Sequence, residues 1–257
     1  MNFKKYAQTT LVLLATHIIS SPACGQSEDA GRGGTSAAQS VYRVFCLVSN
    51  SAATAFGHSS GKIITAEHVV RGCQPKDIAL QDAQGTLSPI AKVETDEALD
   101  LALLTPSSNF VRRPLELTTK KIFSLGMQVA TWGYPEGYSG SLPLLSVGYL
   151  AGVQDIARSG EHVRMWVVNG AFNRGNSGGP LIDISSGTVI GVISSKLAPM
   201  SMELQIKLDE IKSSGTPTEK TLAALFEHQR GQTQLVLGFA TMGKNLQSFL
   251  RQRGVEP

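Results

Sequence analysis

"FNRGNSGGPLID", Phe172 to Asp183, sets one serine between glycine-rich flanks and closes with a proline and an apolar run. Gly, Asn and Ser are the commonest turn formers, so the stretch reads first as a polar turn feeding a strand. The chain around it supports that reading. From Val41 onward, short apolar runs such as "VYRVFCLVS", "KIITAEHVV", "LALLTP", "QVATWGYP", "VRMWVVNG" and "TVIGVISS" alternate with turn signals such as "GHSSG", "DAQG", "YPEGYSG" and "RSG". Runs of this length between such turns predict an all-β barrel or sandwich.

The character changes after Pro199. "MELQIKLDEIKSS" places Leu204, Leu208 and Ile211 at helical spacing. "TPTEKTLAALFEHQR" offers Thr216 as N-cap, Pro217 at the first helical position and Glu219 at the third. Its Leu222, Leu225 and Phe226 share one face. A strand returns in "TQLVLGFAT", and "GKNLQSFLRQRG" predicts a closing helix that ends at Gly254. A β core with a helical insertion at about 199–232 is therefore expected. That insertion either decorates the barrel or forms an interaction surface.

The N-terminus reads as separate from the fold. "MNFKK" is basic, "LVLLATHIIS" is apolar but short of a membrane span, and small residues stand at Ser21 and Ala23. Residues 1–23 are read as an export signal, residues 24–40 as a polar linker and 41–257 as the folded domain. Cys24 would open the mature chain. That arrangement resembles a bacterial lipoprotein signal, but Ser21 stands where such signals usually carry Leu. Ordinary cleavage and lipid anchoring at Cys24 are both carried forward. The expected location is periplasmic or secreted. In an exported chain Cys46 and Cys73 would be able to pair, leaving Cys24 as the odd cysteine. No close Cys/His cluster suggests a metal, and no cofactor is expected. A net charge of +3 is too small to argue for a nucleic-acid partner.

A serine becomes a nucleophile only beside a base that is itself oriented by a third group. Among five histidines, His68 stands out at the end of the apolar strand in "IITAEHVVRGC". Asp100 heads the apolar run Leu101 to Leu104, where an unpaired carboxylate is costly to bury. In "RGNSGGP" the amides of Gly175 and Ser177 are able to address one oxyanion.

"TAEHVV", "DLALL" and "GNSGGP", in that order, resemble the His, Asp and Ser motifs of the chymotrypsin-fold serine proteases. "FNRGNSGGP", "ATWGYPEG" and "LGFATMGKNLQSFL" resemble the HtrA/Deg branch in particular. The resemblance covers about Val41 to Gly254. It implies two six-stranded β-barrels with the site between them. It also implies His68 as general base, Asp100 as its orienting acid and Ser177 as nucleophile. Gly175, Ser177 and, in support, Asn176 would form the oxyanion hole.

Departures refine the expectation. Asn176 carries no charge, so activation by a new N-terminal ammonium is not expected; ordering of the loops "NRGNSG" and "WGYPEGYSG" is. Ala171 occupies the floor of the primary pocket, without a carboxylate for basic side chains. Ala171, Phe172 and Ile193 would make a small apolar pocket, and the Ile193–Ser194 strand would pair with the substrate backbone. The expected partner is a polypeptide substrate. HtrA relatives are often trimers, so a homotrimer is also an expectation. Relatives usually carry PDZ domains; none is expected here. The readings set beside an endopeptidase are a catalytically silent peptide binder and a narrow processing protease with one partner.

Overall fold

A computed structural model of the chain describes residues 37–49, 51–195, 202–232 and 237–257. The expected signal, Cys24 and most of the linker lie outside the described residues. The linker's end does not behave as a tether. Ser40 is buried and its carbonyl accepts the Gly57 N–H at 2.9 Å.

Twelve strands form two closed barrels. The first contains β1 (Val41–Cys46), β2 (Ser51–Gly57), β3 (Ile63–Thr65), β4 (Ile78–Gln81), β5 (Leu87–Asp96) and β6 (Leu101–Pro106). Around the barrel they run in the order β1-β2-β3-β6-β5-β4. The second contains β7 (Gln128–Gly133), β8 (Leu144–Arg158), β9 (Glu161–Gly170), β10 (Pro180–Asp183), β11 (Val189–Ser195) and β12 (Leu237–Met242), in the order β10-β11-β12-β9-β8-β7. Every strand pairing is antiparallel, as short Gly-rich connections require.

Alternation decides where each barrel keeps its core. In β1, Val44 and Cys46 face the interior of the first barrel with Ile63, Leu80 and Leu104, while Val41 belongs to a different cluster. That second cluster joins Phe56, Ile64, Leu101 and Leu103 of the first barrel to Ile182, Val189 and Val192 of the second. It seals the seam between barrels. Helix α4 (Gly243–Arg251) closes the same seam with Leu246, Phe249 and Leu250, all fully buried at i, i+3 and i+4 spacing. Each such side chain contributes about 2 kcal/mol of burial. A third cluster, with Val129, Leu150, Phe172, Leu181 and Ile193, fills the second barrel.

Cys46 and Cys73 are joined by a disulfide that ties the end of β1 to the segment after the one-turn helix α1 (Glu67–Val70). The expected insertion is present as α2 (Met202–Ser214) and α3 (Pro217–Gln232). The capping box forms as read. The Thr216 N–H donates to Glu219 Oε2 at 2.8 Å, and the Glu219 N–H donates to Thr216 Oγ1 at 3.4 Å. The apolar face is the difference. Leu222, Leu225 and Phe226 are exposed, while Leu208 and Ala223 are buried.

Candidate active site

Strand β3 ends at Thr65, five residues short of the apolar run's end at Val70, and His68 lies in the single turn of α1 rather than on the strand. Asp100 sits in the tight turn between β5 and β6 with φ 53, in the left-handed region. Aspartate is among the few non-glycine residues that visit this region readily, and here its carboxylate faces the His68 ring. The Thr241 hydroxyl holds the preceding Leu99 carbonyl at 2.7 Å. His68 Nδ1 lies 2.9 Å from both Asp100 oxygens, and the His68 backbone N–H donates to Oδ1 at 3.0 Å. Asp100 is 3% exposed, whereas the His68 side chain is 35% exposed. Burial alone would raise the Asp100 carboxyl. The His68 ring, the Ser194 hydroxyl and the His68 backbone N–H outweigh it and hold the group below the ordinary carboxylate range.

Ser177 reaches this pair through its neighbours. Gly178, at φ +81, packs so tightly that a Cβ would stand 2.1 Å from Thr65 Oγ1 and 2.8 Å from the Ala66 nitrogen. The residue after the serine therefore touches the segment leading into His68. Among the described residues the Ser177 hydroxyl makes no hydrogen bond. Hydrogen bonds to a nucleophile are often long before substrate engages.

Thr54, on β2 of the other barrel, anchors the serine loop. Its N–H donates to the Ser177 carbonyl at 3.0 Å, and its hydroxyl donates to the Gly175 carbonyl at 2.6 Å. The same oxygen accepts the Tyr134 N–H at 2.9 Å. On the far side the Arg174 carbonyl accepts the Glu136 N–H at 2.7 Å. A trans peptide opposes its C=O and N–H, so this bond turns the Gly175 N–H away from Glu136. Gly175 has φ +90, and a Cβ there would stand 2.3 Å from the Tyr134 carbonyl oxygen; glycine is required twice over. Among the described residues neither the Gly175 nor the Ser177 N–H has an acceptor. Asn176 is 1% exposed, and neither its side-chain oxygen nor its nitrogen has a partner.

The four expected pocket residues are placed unevenly. Ala171 is exposed, whereas Phe172 and Ile193 belong to the core of the second barrel. The Ser194 side chain is fully buried and donates its hydroxyl to Asp100 Oδ2, a contact not read from the sequence. Thr54, Thr241 and Arg158 also hold the site, and sequence reading missed all three. Each acts on residues far along the chain, 36 or more away, where no local pattern marks it.

A profile of the trypsin-like peptidase domain matches residues 53–192. An uncharacterized protein, y4bJ, of Sinorhizobium fredii is 32% identical over 214 residues, spanning 81% of this chain and 28% of that protein. The serine protease Do-like HtrB of Bacillus subtilis is 32% identical over 145 residues, spanning 55% of this chain and 31% of that one. The chain thus spans under a third of the length of these relatives. In three dimensions it resembles the HtrA-type protease AlgW with tripeptide, at TM-score 0.62 and 20% identity, covering 88% of this chain and 64% of that one. That likeness speaks for the fold, and the sequence matches carry the assignment further: the chain belongs to the trypsin-like peptidase family, as an HtrA-like member.

Proposed function

We propose that the chain is a serine endopeptidase working through His68, Asp100 and Ser177. The observation that carries this is the ring of His68 held by a buried, ionised Asp100 beside a serine loop with two free N–H groups. Ser177 attacks the peptide carbonyl while His68 takes its proton. The Gly175 and Ser177 amides receive the developing oxyanion. His68 then returns the proton to the leaving amine, and water releases the acyl group by the same steps. Asp100 stays ionised and stabilises the imidazolium.

A small aliphatic residue before the cut is the preference we infer. Two things support it. Ala171 brings no charge, and the buried Phe172 ring lies against Gly170, Gly148 and Gly238, filling space a deep pocket would need. Unfolded envelope proteins, met after export, are the substrate class that suits the HtrA-like sequence and the signal-like N-terminus. The oxyanion loop would be controlled through the 134–141 segment, which Arg43 grips at the Gly140 carbonyl at 3.1 Å.

One observation favours a second reading, a silent peptide binder: the Ser177 hydroxyl has no bond to the His68 ring. A fluorophosphonate probe separates the two. It should label the folded chain and not the S177A variant. Absence of labelling in the folded wild type, with and without peptide activators, would leave only the binder.

A further inference from the structure

The hairpin of β8 and β9 runs beyond the second barrel, and its geometry is set locally. Arg158 and Glu161 form the last pair, and Ser159 and Gly160 between them have φ 49 and 81. Two positive φ values mark a type I′ turn, whose twist matches that of the strands it joins. Further back, Asp155 and Arg164 stand directly opposite and meet in a two-pronged contact at 2.8 and 3.0 Å. That pair is exposed and fixes register more than it stabilises.

The tip of this arm ends on the site. Arg158 Nη1 lies 3.5 Å from Asp100 Oδ2. Nη1 and Nη2 each donate to Ser194 Oγ at 3.3 Å, and the Ser194 hydroxyl in turn donates to the same Asp100 oxygen. The His68 ring, the His68 backbone N–H and the Ser194 hydroxyl already take three of the roughly four acceptor positions of a carboxylate. The guanidinium is an addition to that set, with a side chain only 20% exposed.

We propose that Arg158 is a positioning residue that holds the Ser194–Asp100 pair from the hairpin tip and shares the Asp100 charge with His68. This rests on the reading of His68 as general base. A fixed cation sharing the Asp100 charge weakens the hold of that carboxylate on the imidazolium. Guanidinium does not titrate, so the effect persists across the working pH range. The other charges near His68 come from its own side of the cleft. Arg71 pairs with Glu67 on α1 and lies 3.9 Å from Glu97 in the turn before Asp100. Arg71 is one cation against the two carboxylates of Glu67 and Glu97, and among the described residues Arg158 is the cation brought to Asp100 from the second barrel.

The test uses R158Q and R158K in the full chain. In R158Q the acidic limb of the kcat/KM profile should move up by about half to one pH unit, the size expected of a charge a few ångströms away and partly screened. R158K should stay within about 0.2 unit, since it keeps the charge. The ring resonance of His68, followed by NMR in the S177A background, should move with pH in the same order. R158M, which keeps the stem length, takes the place of an R158Q chain that does not fold. An unmoved ring titration in the neutral variant overturns the proposal, as does an equal shift in R158K. That readout needs no turnover. It fails independently of fluorophosphonate labelling, which tests the peptidase reading alone.

Discussion

Replacing Asp183 with Asn should destabilise the protein by about 2 kcal/mol at neutral pH, and most of that difference should vanish in acid. Asp183 ends β10 with a side chain 1% exposed. Burial would raise its carboxyl, but the hydroxyls of Ser185 and Ser186, the Ser185 N–H and the Lys120 ammonium at 3.0 Å lower it from 3.8 to about 2. A drop of nearly two units corresponds to about 2 kcal/mol of folding free energy held by the charged form. Because the folded value is depressed, this stability is fully present well above 3.8 and disappears as pH falls toward 2. About half of it should be gone at pH 3. The assay is urea unfolding followed by tryptophan fluorescence at pH 7, 5 and 3, for wild type and D183N. The gap between the two chains should narrow by about 1 kcal/mol from pH 7 to pH 3. At pH 7 the same difference shifts Tm by about 4–8 °C for a chain of this size. Any cost of seating an amide beside the Ser185 N–H does not vary with pH and leaves the narrowing untouched. A gap that stays constant down to pH 3 would refute the argument and assign the loss to shape alone.

Two further outcomes follow from the geometry. G175A forces a left-handed alanine whose Cβ collides with the Tyr134 carbonyl; it should cut kcat by about 10²–10³-fold. Circular dichroism should show the barrels intact, and a variant with wild-type turnover would show that the Gly175 amide is not a donor. Removing the Cys46–Cys73 bridge as C46S/C73S should cost about 3.5 kcal/mol for a closed loop of 27 residues. Urea midpoints of the two chains measure this, and equal midpoints would show that the bridge adds nothing beyond the barrel's own packing.

The barrel strands were legible because their signal is local: four to eight apolar residues between turn formers leave few other structures. The serine loop was legible for a different reason. Gly175 and Gly178 are demanded by contacts that admit no side chain, so the motif is written in residue identity. The partnership of Cys46 with Cys73 was left open by the sequence, since it depends on distances that no spacing gives, and the fold closes it. The contact of the Ser194 hydroxyl with Asp100 was not legible, because its neighbour in sequence, Ile193, belongs to a core and alternation does not tell which partner the opposite face meets. Arg158 left no trace, since its meaning depends on Asp100, 58 residues earlier. The insertion shows the converse limit. Helical spacing grouped Leu222, Leu225 and Phe226 correctly on one face of α3, but spacing carries no information about whether anything covers that face.

Thr54 binds these findings to the history of the molecule. It belongs to the first half of the chain, yet it holds the Gly175 and Ser177 carbonyls and the Tyr134 amide of the second. Neither barrel owns a finished site. A chain caught partway through folding, with one barrel closed, presents a serine whose loop has lost its anchor. Competence to cut thus arrives late, as a report that both halves have met. By that timing a chain with one barrel still open lacks the anchored serine loop that cutting requires.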